Sequence, residues 1–272
     1  MKRQFGRAAA SYDEVAVLAR EVVARMAERL DYIKLAPQRM ADIGCATGDG
    51  IRELQARYPQ AQAIAIDYVL PMVHQVRMHT PRLMRLTRRG PQLVNADARA
   101  LPLAGSTLDL IWSSLMLQWL DDPLSALREW HRSLRSGGLL MFATLGPDTV
   151  KELRHAAGKI GVGDTVRKFP DMHDLGDMLL AAGFADPVMD MEMISFSYSG
   201  PRQFLADQRC LGVRDPLLGQ QTFRDWRRLF AACERDADGR LPLRFEIVYG
   251  HAWKSESKHS ADGRTVIKFH PR

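Results

Sequence analysis

The sequence predicts a doubly wound α/β fold built on a mostly parallel sheet, and two features carry this prediction. Short apolar runs alternate with helical segments along the first half of the chain, a rhythm typical of right-handed strand–helix–strand units. The runs are nearly continuous in apolar residues, as expected of strands that are buried on both faces. The predicted strands of this half are 39–44, 63–67, 93–97, 108–112 and 139–145, and the predicted helices between them are 49–57, 69–78 and 123–134.

The rest of the chain adds a helix on the N-terminal side of this half and less regularly spaced elements on its C-terminal side. Apolar residues recur at helical spacing between Val15 and Met26, which predicts one amphipathic helix over 13–33. Two extended stretches, 188–198 and 244–253, bring the predicted strands to seven. Helices between these last two strands predict a small cap over the carboxyl edge of the sheet, where such folds bind ligands. The later helices are predicted at 148–158, 171–182, 201–209 and 222–235.

Composition and charge fit a globular protein that meets an anionic partner. Hydrophobic residues make up 46% and charged residues 26% of the 272 positions, and no apolar run reaches the length of a membrane span. The formal net charge of +6 favours an acidic partner. Two arginine-rich stretches, 82–89 and 224–228, carry no nucleic-acid-binding motif, so we interpret them as solvated helix faces. We therefore expect neither a nucleic acid nor a membrane as partner.

The cysteines and the N-terminus bear on the cellular compartment. The spacing of the three cysteines matches neither a zinc site nor a disulfide framework, which predicts no bound metal and a reducing, cytoplasmic setting. The first residues are charged and are followed by acidic rather than apolar positions, so no secretory signal is predicted. The cysteines are Cys45, Cys210 and Cys233.

A glycine-rich turn, the segment DIGCATG at 42–48, follows the first predicted strand. Its glycines let the backbone turn tightly and approach a ligand before the next helix begins. Asp67 ends the second strand, where an acidic residue accepts hydrogen bonds from ribose hydroxyls. Asp97 ends the third strand, where its carboxylate can accept from an adenine amino group while the backbone N–H of Ala98 supports a ring nitrogen. The three strand ends together predict a site for an adenine nucleoside.

The chemistry of the turn separates two nucleoside cofactors. A dinucleotide site has the spacing GxGxxG and faces a pyrophosphate with a helix N-terminus, whereas this turn reads GxAxG and begins with Asp42. A carboxylate at that position repels phosphates and attracts an ammonium or sulfonium group. The pattern therefore favours S-adenosylmethionine over a nicotinamide dinucleotide.

With these motifs the chain resembles a class I, seven-stranded S-adenosylmethionine-dependent methyltransferase of Rossmann-like fold. More narrowly, it resembles the malonyl-[acyl-carrier protein] O-methyltransferase family of biotin synthesis, the BioC family, nearly from end to end. Ala46 stands where the broader pattern has a glycine, a change that we expect the turn to tolerate, and Arg209 stands where the family pattern leads us to expect lysine. The match is poorest in the cap. The stretches that carry the resemblance are 5–22, 42–48, 96–119, 144–154, 171–192 and 245–254.

The resemblance implies a single domain over 1–272 with four parts. Residues 1–35 would form an N-terminal helical lid over the cofactor, and 36–145 the cofactor-binding core. Residues 146–254 would form the substrate-side half, with the cap at 200–240. Residues 255–272 would form a polar tail.

The site residues follow from the strand-end pattern and the resemblance together. Tyr12 in the lid would hydrogen-bond the methionine end of the cofactor, and Trp119 would lie near the transferred methyl group. The cofactor-binding residues predicted are Asp42, Gly44, Cys45, Ala46, Gly48, Asp67, Tyr68, Met72, Asp97, Ala98 and Ser113.

The reaction implied by the resemblance is methyl transfer from S-adenosylmethionine to the free carboxylate of a malonyl group on an acidic acyl-carrier protein. A malonyl carboxylate is ionised at neutral pH, so no general base is needed to create the nucleophile. A cationic side chain should hold one carboxylate oxygen while the other attacks. The candidates are Arg154 and Arg209, followed by Lys151.

Three other functions stay open on the sequence. The chain could methylate a different small acceptor, or it could be an arginine hydroxylase of the kind found among complex I assembly factors of the same fold. It could also bind the cofactor without catalysis, as a sensor or scaffold. The sequence also leaves open the oligomeric state and whether the malonyl group is carried on a protein or on coenzyme A.

Overall fold

In the described part of the chain, seven strands form a single sheet. They are β1 (Arg39–Ile43), β2 (Gln62–Asp67), β3 (Gln92–Asn95), β4 (Leu108–Ser114), β5 (Leu134–Leu145), β6 (Ala185–Tyr198) and β7 (Leu241–Trp253). Their order across the sheet is β3-β2-β1-β4-β5-β7-β6. Strands β1 to β5 pair in parallel, whereas β7 runs antiparallel to both of its neighbours. The predicted α/β class with a mostly parallel seven-stranded sheet is confirmed.

The computed structural model describes residues 1–87, 89–161 and 166–255. Arg88 of the first arginine-rich stretch lies outside these residues, as does the predicted polar tail beyond residue 255. No helix within the described ranges is both long enough and apolar enough to cross a membrane.

Three of the described helices begin at a short polar side chain that bonds a free backbone N–H group of the first turn. Asp122 accepts from the N–H of Ser125 at 3.2 Å, and Asp171 and Asp174 form a reciprocal capping box. The helices are α1 (Lys2–Ala8), α2 (Tyr12–Val15), α3 (Val17–Leu30), α4 (Asp49–Arg57), α5 (Leu70–His79), α6 (Arg82–Leu86), α7 (Pro123–Ser133), α8 (Lys151–Lys159), α9 (Met172–Ala181), α10 (Pro201–Cys210), α11 (Arg214–Leu218) and α12 (Phe223–Ala231), with a 3-10 turn at Leu117–Trp119.

The hydrophobic core lies in two layers, one on each face of the sheet, and β5 shows why. Its successive side chains alternate between the layers: Leu139 and Met141 pack on one face, and Leu140 and Phe142 on the other. Helices α3, α4 and α8 cover the first face, and α7 and α9 cover the second. Covering both faces leaves the ends of the strands as the open edges of the sheet, so a ligand site belongs there.

The prediction of one continuous helix over 13–33 is wrong, because the chain breaks at Ala16. This residue has a ψ of 37°, outside the helical region, and it separates the single turn α2 from α3. The break frees the carbonyl of Asp13, which accepts from Arg20 Nη1 at 2.8 Å. It lets the first sixteen residues leave the line of α3 and turn over the sheet edge as α1 and α2, which together with α3 form the lid.

Helices α10, α11 and α12 lie between β6 and β7 and form the predicted cap. The cap meets the N-terminal helices directly. Gln4 Nε2 donates to Asp215 Oδ2 at 3.0 Å, and Ser11 Oγ donates to the carbonyl of Cys210 at 3.3 Å. Lid and cap therefore meet each other at the strand ends, where residues of both line one cavity.

Candidate active site

A cavity of about 320 Å³ lies at the carboxyl ends of β1 to β4, enclosed by the lid and the cap. Of the residues predicted for the site, those that line this cavity are Tyr12, Gly44, Ala46, Asp67, Tyr68, Met72, Asp97, Ala98 and Trp119. The predicted residues that do not line it are Asp42, Cys45, Gly48, Ser113, Lys151, Arg154 and Arg209.

The turn after β1 forms one wall of the cavity and is held to the neighbouring strand. The N–H groups of Gly44 and Cys45 both donate to the carbonyl of Ile66, at 2.8 and 3.0 Å. Gly44 has a φ of +79°, and a Cβ atom there would overlap the side chain of Met116. Ala46 also adopts the left-handed region, with a φ of +44°, at a cost of about 1 kcal/mol for a residue with a side chain. Residue 46 is thus an alanine in the left-handed conformation, for which glycine is preferred.

Asp67, at the end of β2, is fixed against this turn by two backbone hydrogen bonds. Its Oδ2 accepts from the N–H of Ala46 at 3.0 Å and its Oδ1 from the N–H of Val69 at 2.7 Å. The side chain is buried, and burial raises its pKa above the ordinary value. Each carboxylate oxygen has two lone pairs, so each keeps one for a ligand in the cavity. The geometry suits acceptance from a pair of neighbouring hydroxyl groups.

Asp42 lies behind the cavity wall instead of lining it. Its carboxylate accepts from the backbone N–H of Ile51 at the start of α4. Burial, followed by repulsion from the Asp67 carboxylate, raises the pKa of Asp42 to about 8. Asp42 is therefore mostly protonated at neutral pH and places no full negative charge behind this wall.

Asp97 lies in the wall beyond β3 and is already engaged by a neighbour. Its carboxylate accepts from the backbone N–H of Arg99 at 2.9 Å and from the guanidinium Nε and Nη2 atoms at 3.0 and 2.7 Å. These bonds lower the pKa of Asp97. The next residue, Ala98, is fixed by Trp130, whose Nε1 donates to its carbonyl at 3.0 Å. A ligand amino group at this wall would share an ionised carboxylate with Arg99.

The lid closes the cavity with aromatic and cationic contacts. The ring of Phe5 meets the ring of Trp119 edge-on at 5.8 Å between centroids, and the Nζ of Lys2 lies 3.9 Å from the centroid of the Tyr68 ring. Tyr12 is half-buried, and burial, followed by the charge of Asp49, raises the pKa of its hydroxyl. The hydroxyl of Tyr12 therefore stays protonated at neutral pH and can donate a hydrogen bond.

The two serines at the end of β4 differ in their surroundings. Ser113 is fully buried and its Oγ donates to the carbonyl of Ile43 at 2.8 Å, which ties β4 to β1. Ser114 lines the cavity, and its buried Oγ has no hydrogen-bond partner within the described residues. Because side chains alternate along a strand, an error of one position exchanges the two roles. The sequence pattern predicts Ser113 and does not single out Ser114.

The cap contributes a second polar group that the sequence pattern did not predict, Gln208. This glutamine is 3% exposed and lines the cavity, whereas its neighbour Arg209 is exposed on the other side of α10. The signal in the sequence is a helical stripe, Phe204, Gln208 and Leu211, at spacings of four and three residues. A single polar residue within an apolar stripe indicates a site that faces a cavity.

The basic residues of α8 bond to the protein and do not reach the cavity. The guanidinium of Arg154 donates to the carbonyl of Pro147, and its Nη2 donates to the carbonyl of Arg167 at 2.7 Å. Lys151 Nζ pairs with Asp148 Oδ2 at 2.7 Å. Both side chains hold together the loop that follows β5.

The fold defines the class of protein to which the chain is similar. Residues 41–142 match a family described as "Methyltransferase domain". Among solved structures, Haemonchus contortus phosphoethanolamine N-methyltransferase 2 in complex with S-adenosyl-L-methionine superposes with a TM-score of 0.55 at 16% identity, over 91% of this chain and 57% of that one. The cyclase SpnF superposes with a TM-score of 0.54 at 19% identity, over 87% and 82%. Identities this low show a shared fold and no more.

Full-length relatives give the family. A malonyl-[acyl-carrier protein] O-methyltransferase of Laribacter hongkongensis is 48% identical over 285 residues, which cover 100% of this chain and 95% of the relative. A protein of the same name from Gallionella capsiferriformans is 44% identical over 98% and 94% of the two chains. The chain belongs to the malonyl-[acyl-carrier protein] O-methyltransferase family, as its resemblance predicts.

Proposed function

We propose that the protein binds S-adenosylmethionine in the strand-end cavity and methylates the free carboxylate of a malonyl group carried on acyl-carrier protein. The product is the malonyl methyl ester, which would prime pimeloyl formation in biotin synthesis. The single observation that carries the proposal is the Asp67 carboxylate, held by two backbone N–H groups at the wall of the cavity between lid and cap. Family membership supplies the acceptor.

The cavity wall has the donor and acceptor set that this cofactor needs. Asp67 would accept from the ribose hydroxyls, and Asp97 with the backbone of Ala98 would meet the adenine. The turn at Gly44 and Ala46 would approach the methionine portion, and Met72 would pack against the ligand. S-adenosylmethionine would supply an electrophilic methyl group on its sulfonium.

The protein has little chemistry to perform beyond alignment. A malonyl carboxylate arrives ionised, so no residue has to remove a proton from it. The hydroxyl of Tyr12 donates a hydrogen bond that fixes the methionine end of the cofactor. The ring of Trp119 lines the space through which the methyl group is transferred. Lid and cap exclude water, which otherwise solvates the carboxylate and weakens it as a nucleophile. The rate then depends on holding oxygen, carbon and sulfur in line.

The substrate carboxylate needs a donor to hold the oxygen that does not attack. Ser114 Oγ and the side-chain amide of Gln208 line the cavity, and Ser114 Oγ has no partner in the described chain. We assign these two groups to the substrate carboxylate. Arg154 would act as a positioning residue through the Pro147 carbonyl, and Arg209 would act outside the cavity, where it is exposed.

The division of the chain into functional parts is part of the same proposal. Residues 1–35 act as the lid, and 36–145 hold the cofactor. Residues 146–254 select the substrate through the cap. The contacts of Gln4 with Asp215 and of Ser11 with Cys210 support a closed state in which lid and cap act together.

The alternative functions differ from the proposal in their acceptor, in their reaction or in the absence of catalysis. Near full-length identity of 48% to a malonyl-[acyl-carrier protein] O-methyltransferase favours the malonyl acceptor over another small molecule or an arginine side chain. The cavity enclosed by lid and cap favours an enzyme over a sensor, because a sensor has no need of a second, substrate-selecting wall.

The test is methyl transfer by the full chain. The purified protein is incubated with S-adenosylmethionine and malonyl-acyl-carrier protein, and acetyl-acyl-carrier protein is the matched control without a free carboxylate. We expect the malonyl carrier alone to gain the mass of one CH₂ group by intact-mass spectrometry. A gain on neither carrier, or on both, would overturn the proposal.

A further inference from the structure

A second concave surface lies on the outer side of the cap. It is a groove of about 1060 Å³ between α10, α11 and α12, separate from the active-site cavity. We call it the cap groove. Its charged and aromatic lining residues are Arg202, Arg209, Arg214, Arg227, Arg235, Asp215, Phe223 and Trp226.

The cap groove is strongly basic. Five arginines and one aspartate line it among the described residues, and the aspartate, Asp215, is already paired with Arg214 at 2.7 Å. The other four arginines are exposed and form no ion pair within the described part of the chain. Unpaired arginines held close together repel one another, so the protein alone gains nothing from this arrangement. An anionic partner would relieve the repulsion.

One exposed and one half-buried aromatic ring, Phe223 and Trp226, accompany these charges. Phe223 is 83% exposed at the start of α12, and Trp226 stacks on Phe230 with 5.5 Å between ring centroids. Aromatic and arginine side chains together are the residues that contribute most to protein–protein binding. A small anion needs no such apolar surface, so the groove fits an acidic protein surface with some apolar area.

The position of the groove relates it to the cavity. Helix α10 sends Gln208 and Leu211 into the cavity and Arg209 into the groove, so the two sites share one helix as a wall. A helix with its side chains is about 10 Å across. A protein docked in the groove therefore sits about one helix diameter from the cavity, within reach of a flexible arm that carries the substrate.

We propose that the cap groove is the docking surface for the acidic face of the acyl-carrier protein that delivers the malonyl group. This inference rests on the proposed function for the identity of the partner. The arginines steer and orient the carrier, and Phe223 and Trp226 meet its apolar residues, while the chemistry takes place on the other side of α10. Arg209 in this account is a carrier-binding residue and makes no contact with the reacting carboxylate.

The test compares two charge reversals of equal size. The double variant Arg209→Glu and Arg227→Glu reverses the cap groove, and the control Arg82→Glu and Arg85→Glu reverses two exposed arginines of α6. Each is assayed with malonyl-acyl-carrier protein and with malonyl-pantetheine, a small thioester that has the same free carboxylate but no carrier protein. Binding of fluorescently labelled carrier protein is measured separately by anisotropy, which requires no turnover.

We expect the groove variant to raise KM and Kd for the carrier about tenfold and to leave kcat and KM for malonyl-pantetheine unchanged. The control variant should leave both substrates unchanged. Equal carrier binding in the groove variant and the wild type would overturn the docking surface. The docking surface would also be overturned if the wild type bound an RNA oligonucleotide more tightly than the carrier and the groove variant lost that RNA binding. Absence of methylation in the wild type, with carrier binding still lost in the groove variant, would overturn the proposed function and leave the docking surface standing.

Discussion

The strand ends and the helical cap both line the cavity, but they hold their polar groups differently. At the strand ends, the carboxylate of Asp67 is fixed by two backbone N–H groups and that of Asp97 by the N–H and guanidinium of Arg99. In the cap, Gln208 and Arg209 form no side-chain hydrogen bond within the described residues. The strand ends are thus preorganised for one ligand. The polar side chains of the cap are instead available to a substrate and a carrier that bind and dissociate in each cycle.

The largest effect that would test this contrast is at Gly44. Gly44→Ala places a Cβ against Met116, so Met116, which lines the cavity, must shift. We expect the affinity for S-adenosylmethionine, measured by calorimetry, to fall by about 100-fold, since overpacking adds to the cost of the left-handed conformation.

Gly137 provides the matched control for this substitution. It has a φ of +75°, close to that of Gly44, with no atom within 4 Å of an added Cβ. Gly137→Ala should lower the free energy of unfolding by about 1 kcal/mol and leave the cofactor affinity unchanged. Equal affinities in the two variants would show that close approach at Gly44 plays no part in binding.

The next effect separates the two carboxylates of the strand ends. Asp67→Ala removes a charged acceptor that is buried and fixed, and we expect the Kd for S-adenosylmethionine to rise about 30-fold, or about 2 kcal/mol. Asp97→Ala should raise it less, because Arg99 already competes for that carboxylate. The same calorimetric titration measures both, and a larger loss at Asp97 would contradict the assignment of Asp67 to the ribose.

Adjacent residues of α10 test the cap side of the comparison. Gln208→Leu should lower kcat/KM about tenfold for both malonyl-acyl-carrier protein and malonyl-pantetheine, because the hydrogen bond to the substrate carboxylate is lost. Arg209→Ala should affect the carrier substrate alone. Steady-state kinetics with the two substrates measure the difference, and a loss on malonyl-pantetheine in Arg209→Ala would return that arginine to the reacting carboxylate.

The smallest effect concerns the buried acid behind the turn. Folded Asp42 keeps its proton up to a pKa of about 8, whereas in the unfolded chain it loses the proton near 4. The folded state therefore binds more protons between these values, and the contribution of Asp42 to stability falls as the pH rises. Relative to Asp42→Asn, the wild type should lose about 1 kcal/mol of unfolding free energy between pH 7 and pH 8.

Urea unfolding at the two pH values measures this difference, with Asp148→Asn as control. The pairing of Asp148 with Lys151 lowers the pKa of Asp148, so it is ionised in both states over this range and its variant should show no trend. A constant difference between the wild type and Asp42→Asn would mean that Asp42 is ionised in the folded protein at pH 7.

The sequence predicted the strand ends well because their signals are local. Buried apolar runs marked β1 to β5, and the glycines of 42–48 marked a turn whose conformation depends on a few consecutive residues. Asp67 could be placed because it ends a strand. The fold class and the family followed from these motifs.

The lid and the cap were harder because their structure depends on contacts between distant residues. The break at Ala16 has no glycine or proline to mark it and is accompanied by the bond of Arg20 to the Asp13 carbonyl. The choice between Ser113 and Ser114 depends on the face of β4 that meets the edge, which a single strand end does not reveal. The direction of Arg209 depends on the packing of α10 against the lid, so charge alone suggested the wrong side of the cap.

Methylation of the malonyl group and docking of its carrier are tested together by the rate of methyl transfer to the malonyl group with and without its carrier. Initial rates are followed for malonyl-acyl-carrier protein and malonyl-pantetheine over a range of concentrations, with S-adenosylmethionine saturating. We expect equal kcat values and a lower KM for the carrier, with the difference in KM shrinking as salt is raised. Methylation of neither substrate, or equal KM values at every salt concentration, would contradict this expectation.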